Sequence, residues 1–228
     1  MTVAVLCAAC VAVLGVALHD QRHGNELDDA VTSWGDREFG HDSPFLRDAL
    51  HLADPPVVLG ALIAVLIIGL RRGRRDVAVL AVLGPGSAVS FTELVAKPLV
   101  HRTYGTTLAF PSGHTAAITS ISLVLYVALF SGRAAVTARL MAALSLAAIV
   151  ALVAFALIDC GYHYASDTIG GFSVAIGMVT GIALVVDSAA IQRARRRAAN
   201  HRTADSGVVP DATLGCPVYT AHAPGENR

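Results

Sequence analysis

The chain has 228 residues, of which 54% are hydrophobic and 15% are charged, and its mean hydropathy is +0.60. An ordinary soluble domain carries about 25% charged residues, so this composition argues against a soluble globular protein. Seventeen Lys and Arg residues balance seventeen Asp and Glu residues. The chain therefore lacks the basic excess that nucleic-acid-binding proteins normally carry.

Six apolar segments follow one another along the chain, each 15 to 20 residues long. A transmembrane helix needs about 20 apolar residues, and flanking residues can lengthen the shorter segments. We therefore predict an all-α, polytopic membrane protein whose six transmembrane helices form a helical bundle. The six segments are Thr2–Leu18, Pro56–Leu70, Val77–Ala96, Thr115–Phe130, Leu140–Ile158 and Thr168–Val186.

The first segment, within residues 1–19, also resembles two other kinds of sequence. A cleaved signal peptide would normally begin with positive charge, and no Lys or Arg precedes this segment. Cys7 and Cys10 form a C-x-x-C string, which also occurs in redox sites and near lipid attachment sites. Small residues are common on membrane helices, so we interpret this segment as the first transmembrane helix.

Residues 20–55 form a long acidic loop, with nine Asp and Glu residues against three Arg residues. Within it, Ser43 followed by Pro44 is typical of a helix start. Apolar residues then fall on one helical face, which predicts a short amphipathic helix lying on the membrane surface. These residues are Phe45, Leu46, Ala49, Leu50 and Ala53.

Arginine residues predict the orientation in the membrane. They cluster in three alternate connections, at 71–75, at 133 and 139, and at 193–197. The positive-inside rule places these connections and both termini in the cytoplasm of a cell-membrane protein. The loops 19–55, 97–114 and 159–167 then face outward.

This orientation divides the rest of the chain into two parts. Residues 56–190 hold five of the predicted helices and are expected to form the functional core. Residues 191–228 are expected to form a cytoplasmic tail, first basic and then, from Ala199, disordered, because its polar composition has no apolar period.

Residues suited to phosphate binding lie on the second outward loop. Lys97, the only lysine, and Arg102 can neutralise an anion. Ser112 and Gly113 begin the fourth apolar segment, and a helix N-terminus binds anions because its first N–H groups have no helical acceptors. The loop therefore predicts an anion site at the outer membrane surface.

The third outward loop adds a candidate nucleophile. His163 and Asp167 are four residues apart, so they share one helical face. Asp167 can hold one ring nitrogen of His163 and leave the other free to attack, while His114 remains as a proton donor. Cations, backbone donors, a nucleophile and an acid together indicate phosphoryl transfer.

A metal-binding or transport protein is the competing interpretation. The possible ligands would be His101, His114, His163 and Asp167. Lys97 and Arg102 argue against a metal, because they would repel a divalent cation at the same place.

These motifs resemble the phosphatidic acid phosphatase type 2 family of membrane lipid phosphatases. The family pattern is K-x6-R-P, then P-S-G-H, then S-R-x5-H-x3-D. Lys97, the complete string from Pro111 to His114, and the pair His163 and Asp167 match it in the same order. The resemblance covers roughly Val58 to Ser188. It implies a six-helix core with the site facing away from the cytoplasm.

The resemblance also implies the chemistry of the site. The expected enzyme needs no cofactor or metal and cleaves a lipid phosphate such as phosphatidate, a polyprenyl phosphate or diphosphate, or a lipid-linked sugar phosphate. His163 would form a phosphohistidine, Asp167 would orient it, and His114 would protonate the leaving oxygen. The phosphoryl oxygens would be held by Lys97, Arg102, Ser112 and Gly113.

The chain departs from the family pattern at two cations. Tyr104 stands where the first motif has arginine, and Leu157 stands where the third motif has arginine. Arg102 is expected to replace the first of them. Two cations instead of three favour a monophosphate substrate and leave open a degenerate member that binds lipid phosphate without cleaving it. Glu93, one turn before Lys97, either pairs with that ammonium or is a solvated acid.

Overall fold

The computed structural model describes residues 1–40, 43–130 and 135–205, with side chains as far as residue 192. A compact unit comprises Met1–Ser188, and a second unit begins at Ala189. Apart from one short hairpin, the regular secondary-structure elements of the described residues are all helical. The helices are α1 Thr2–Ala17, α2 Glu26–Phe39, α3 Pro44–Leu50, α4 Pro55–Arg71, α5 Arg75–Phe91, α6 Lys97–Val100, α7 Gly113–Phe130, α8 Val136–Asp159 and α9 Ala165–Asp205. Of the predicted disordered tail, residues 199–205 belong to α9, and residues 206–228 lie outside the described residues.

Every predicted apolar segment is helical, but not every one meets the length of a transmembrane span. Among the described residues, four helical stretches are long and apolar enough to cross a membrane. Pro44–Ala53 and Pro55–Arg71, bent by 48°, supply a fifth if they are taken as one span, and α1 is shorter. The all-α membrane class is confirmed, whereas the count of six transmembrane helices is not. The four stretches are Arg75–Val100, Gly113–Phe130, Val136–Asp159 and Ala165–Gln192.

Helix α5 packs against both α4 and α7. Ala81 and Ala88 on α5 are fully buried, and such small residues let membrane helices approach closely. The main cluster of buried apolar side chains surrounds α5 and includes residues of α4, α7 and α9. Its members are Val65, Val77, Leu80, Ala81, Val124, Ala128 and Val179.

The acidic first loop contains a helix that the sequence analysis did not predict. The side chain of Asn25 accepts the backbone N–H of Asp28, and the side chain of Asp28 accepts the backbone N–H of Asn25, both at 3.0 Å. This reciprocal capping box satisfies two N–H groups at the start of α2. Helix α2 packs against α8.

The predicted short helix of the first loop is α3, followed by a 3₁₀ turn at His51–Ala53. Leu46 and Ala49 are buried against Ala156 of α8, whereas Phe45 is exposed. Ser43 precedes the helix but makes no side-chain cap; its backbone N–H donates to Asp159 Oδ2 at 3.2 Å. The apolar face of α3 is therefore covered by protein.

The helical stretch Arg75–Val100 is interrupted by a π-helical turn at Thr92–Ala96. Such turns are rare and are frequent at functional sites. The stretch ends at His101, whose φ of 54° lies in the left-handed region. A two-stranded hairpin follows, with β1 at Thr103–Tyr104 and β2 at Thr107–Leu108, and Gly105 with φ of 59° makes its turn.

Candidate active site

An open cavity of about 430 Å³ lies where the π-helical turn, the start of α7 and the loop before α9 meet. Its polar wall contains Glu93, Lys97, His114 and His163. The remaining wall is largely apolar and includes residues of the first loop and α4. The other lining residues are Ala53, Pro55, Val58, Val89, Thr107, Leu108, Gly113, Ala117 and Tyr162.

Lys97 brings the positive charge to this cavity wall, and Glu93 pairs with it. The ammonium Nζ donates to both carboxylate oxygens of Glu93, at 2.8 and 2.9 Å. Glu93 Oε1 also lies so close to Gly113 that a Cβ at that position would collide with it. The carboxylate of Glu93 therefore sits at the N-terminal end of α7, where an anion is favoured.

Gly113 and His114 line the cavity at the start of α7, but Ser112 does not. Ser112 is fully buried, and its Oγ accepts hydrogen bonds from Thr115 N–H at 3.3 Å and Thr115 Oγ1 at 3.1 Å. Its backbone N–H donates to the carbonyl of Asp167 at 2.9 Å. Ser112 therefore fixes the N-terminus of α7 to the first turn of α9.

Two glycines of α9 permit this close approach. A Cβ at Gly170 would collide with the ring of Phe110, and a Cβ at Gly171 would collide with the carbonyl oxygen of Ser112. The P-S-G-H segment therefore rests directly on the backbone of α9. This contact brings His114 and His163 to one cavity, with their ring centroids 6.3 Å apart.

His163 lines the cavity beside Asp167. His163 Nδ1 lies 3.7 Å from Asp167 Oδ2 and has no hydrogen-bond partner among the described residues. This distance exceeds that of a hydrogen bond, although such contacts often shorten once substrate is bound. Asp167 Oδ2 instead accepts the backbone N–H of Tyr164 at 2.9 Å.

Arg102, expected to hold phosphate, is not a cavity residue. It is fully buried, and its guanidinium donates to Asp28 Oδ2 and Asp167 Oδ1, each at 2.7 Å. It also donates to Ser166 Oγ at 2.6 Å and lies 4.2 Å from the centre of the Tyr164 ring. Arg102 forms ion pairs with two carboxylates and does not line the cavity, so it positions Asp167 instead of binding phosphate.

The two positions that depart from the motif pattern supply no cation either. Leu157 is buried in an apolar cluster with Val150, Val153 and Ile118. Its carbonyl accepts the backbone N–H of His163 at 3.1 Å. Tyr104 packs against Tyr164, with ring centroids 4.6 Å apart and the ring planes tilted by 53°.

Asp28 and Ser166 are site residues that the sequence analysis missed. Burial alone would raise the pKa of Asp28, but hydrogen bonds from Asn25, Ser166 and Arg102 outweigh it and hold this pKa below its usual value. The capping pattern from Asn25 to Asp28 could have predicted α2. Nothing in the sequence indicates that Asp28 meets Arg102, 74 residues away.

Residues 78–190 match the family model of the PAP2 superfamily. The chain belongs to the PAP2 superfamily. The matched region contains Lys97, the P-S-G-H segment and the pair His163 and Asp167, and membership in this family supports a membrane phosphatase. Asp28 lies outside the matched region.

One solved PAP2 structure has a similar fold. It is the crystal structure of a transmembrane PAP2-type phosphatidylglycerolphosphate phosphatase from Bacillus subtilis. The TM-score is 0.62 at 19% sequence identity, over 84% of this chain and 98% of that one. No curated protein sequence matches the chain.

Proposed function

We propose that this PAP2 member hydrolyses a phosphate monoester of a lipid through a phosphohistidine formed on His163. The observation that carries the proposal is the shared cavity of His114, His163, Lys97 and the N-terminus of α7. Between imidazole rings whose centroids are 6.3 Å apart, a phosphoryl group can contact a nucleophile on one side and an acid on the other.

The first step transfers the phosphoryl group to the enzyme. Lys97 and the first N–H groups of α7 neutralise the phosphoryl oxygens, which lowers the cost of charge in the transition state. The distal nitrogen of His163 forms a bond to phosphorus while the bond from phosphorus to the lipid oxygen breaks. His114 donates a proton to that oxygen, and general acid catalysis of this kind is worth about 10²–10⁴-fold.

The second step releases phosphate. His114, now neutral, takes a proton from a water molecule as its oxygen attacks phosphorus. The bond from phosphorus to His163 breaks and the imidazole regains its starting state. Asp167 stabilises the positive charge on His163 while the phosphohistidine exists.

The charge of the cavity favours a monoester over a diphosphate. Lys97 is paired with Glu93, Arg102 is held by two carboxylates, and Leu157 is apolar. A diphosphate would bring more negative charge than this cavity offers cations to neutralise. The apolar part of the wall, with Ala53, Pro55 and Val58, suits the glycerol or isoprenoid portion next to the phosphate.

We place this cavity on the outer face of the membrane because of the arginine distribution. Thr106 lies in the turn of the hairpin beside the cavity, and Ala135 precedes α8. In a variant without native cysteines, Thr106→Cys should react with an impermeant thiol reagent in intact cells, and Ala135→Cys should not. The reverse pattern would invert the topology.

Two other functions are alternatives to this proposal, and a substrate assay can distinguish them. A non-hydrolytic lipid-phosphate binder would retain the cavity and release no phosphate. A metal-dependent protein has less support: among the described residues no group of three His, Cys, Asp or Glu side chains is arranged to hold a metal ion, and His101 pairs with Asp20 at 2.9 Å.

One assay separates these functions. Purified full-length protein is given phosphatidate, phosphatidylglycerophosphate, a polyprenyl phosphate and a polyprenyl diphosphate in mixed micelles, with excess chelator. We expect release of phosphate from the monoesters and little from the diphosphate. Binding without release would support the non-hydrolytic function, and activity that requires added metal would support the third.

A further inference from the structure

The unexpected feature of the site is a buried carboxylate from outside the matched family region. Asp28, on the first turn of α2, is 1% exposed. Burying a carboxylate is costly unless it is paired and hydrogen-bonded. Asp28 meets this requirement with Arg102, the backbone N–H of Asn25, and both the N–H and hydroxyl of Ser166.

Arg102 connects this carboxylate to Asp167. Its Nη2 donates to Asp28 Oδ2, and its Nη1 donates to Asp167 Oδ1. The side chains of Asp28 and Asp167 are no more than 1% exposed. Water therefore screens these charges little. The charge on one carboxylate then affects how strongly the guanidinium attracts the other.

The charges of this group sum to minus one, because one guanidinium faces two carboxylates. Asp28 takes up part of the positive charge of Arg102, so Asp167 keeps negative charge on the side facing His163. If Asp28 were neutral, the ion pair with Arg102 would cancel the charge of Asp167. The imidazole would then lose the negative partner that favours its cationic, phosphorylated form.

The same residues also hold Asp167 in place. Ser166, which directly precedes Asp167 in the chain, donates its backbone N–H to Asp28 Oδ1 at 2.8 Å. Asp167 Oδ1 is fixed by Arg102, and its Oδ2 is the oxygen nearest to His163 Nδ1. Asp28 therefore controls both the position and the charge of the group that faces the nucleophile.

We propose that Asp28 is a positioning residue for phosphoryl transfer, acting on His163 through the chain Asp28, Arg102, Asp167. This inference rests on the proposed function and extends the reacting machinery into the first loop. Asp28 is not among the residues that line the phosphate cavity, so it should influence the rate of the chemical steps and not the binding of phosphate.

Asp28→Asn tests this directly because it removes the charge and keeps the size. We expect kcat for a lipid monophosphate to fall roughly 10–100-fold, as for other outer residues that orient a reacting group. KM and inhibition by inorganic phosphate should stay within about twofold. Asp29→Asn, at the exposed neighbouring position of the same helix, is the matched control and should leave kcat unchanged.

A double-mutant cycle with Asp167→Asn distinguishes positioning from simple structural support. If Asp28 acts through Asp167, Asp28→Asn should lower kcat little further in the Asp167→Asn background. Additive losses, or an effect of Asp28→Asn on phosphate inhibition equal to its effect on kcat, would overturn the proposal. Wild-type-like kcat in Asp28→Asn would overturn it equally.

Ser166→Ala keeps the test decisive if Asp28→Asn does not fold. This variant retains both carboxylates but removes the hydroxyl that joins Asp28 to Arg102, and the same cycle with Asp167→Asn should again be non-additive. Failure of the proposed function has a different signature, since wild-type protein would then release no phosphate or Asp167→Asn alone would have no effect.

Discussion

The two sides of His163 hold their charges in different ways. On the cavity side, Lys97 and Glu93 pair with each other in contact with solvent, and His114 is open to the cavity. On the protein side, Asp28, Arg102 and Asp167 are buried and joined by short hydrogen bonds. The cavity side can exchange partners when a phosphate enters, whereas the buried side cannot. Substitutions on the cavity side should therefore change chemistry, and those on the buried side should also change stability.

The largest loss of activity is expected at His163, which lies between the two sides. His163→Ala removes the proposed nucleophile and should lower kcat by at least about 10⁴-fold, as loss of other enzymatic nucleophiles does. Because the His163 side chain is buried, the thermal unfolding midpoint is measured as well, to show that the variant is folded. Rapid-quench labelling should detect an acid-labile phosphoenzyme in wild-type protein only. Labelled phosphate trapped on His114 would reverse the assignment.

On the cavity side, His114→Ala should lower the rate about 10²–10⁴-fold for lipid substrates, because it removes the leaving-group acid. A nitrophenyl phosphate has a leaving group that needs no proton, so its first step should be affected much less. The measurement is the ratio of the two losses, taken from the pre-steady-state burst. Equal losses would assign His114 to phosphate binding.

Substitutions on the buried side should lower stability in addition to rate. Arg102→Met leaves Asp28 and Asp167 buried without a cation, and such a loss costs about 3–5 kcal/mol in the free energy of unfolding. Lys97→Met is the comparison on the cavity side, where the ion pair is partly exposed and contributes about 0–1 kcal/mol. Thermal unfolding in detergent measures both. Similar destabilisation by the two substitutions would remove the distinction between the sides.

Glu93→Gln should strengthen phosphate binding, whereas the substitutions above weaken activity or stability, and its effect should be smaller. Glu93 neutralises Lys97 and occupies the N-terminal end of α7, so its carboxylate competes with phosphate. Removing its charge should tighten inhibition by inorganic phosphate about 2- to 5-fold, in line with a partly exposed ion pair worth up to about 1 kcal/mol. Glu26→Gln, at an exposed position of α2, is the control. Weaker inhibition would show that Glu93 instead holds Lys97 in its productive position.

The smallest effect is the pH dependence of the buried side. The pKa of Asp28 is lower in the folded protein than the unfolded value of about 3.9. The stability it contributes is therefore present above about pH 4 and lost as the pH falls through its folded-state pKa. The difference in unfolding midpoint between wild type and Asp28→Asn should shrink on acidification. A difference that grows would contradict the assignment.

Local patterns predicted the helices because hydropathy is a property of neighbouring residues. The segments that became α5, α7 and α8 were predicted within a few residues, and the motifs indicated Lys97 and His163, which do line one cavity. The sequence analysis assigned Arg102 to the substrate because it is a cation close to the position where the motif has arginine. Its actual partner, Asp28, lies on another element, and sequence spacing carries no information about such a meeting.

The backbone contact between Gly171 and Ser112 fixes the spacing of the proposed catalytic histidines independently of the residues that select the substrate. Main chain, not side chain, sets how far apart the two histidines stand, whereas the opposite wall is built from replaceable residues such as Ala53, Val58 and Val89. Mutational drift can reshape that wall for a bulkier or slimmer alcohol without moving the reacting atoms. Substitutions in this apolar wall can therefore change which lipid the cavity accepts while the two histidines stay in place. Selectivity should be redesigned in the wall and not at the histidines.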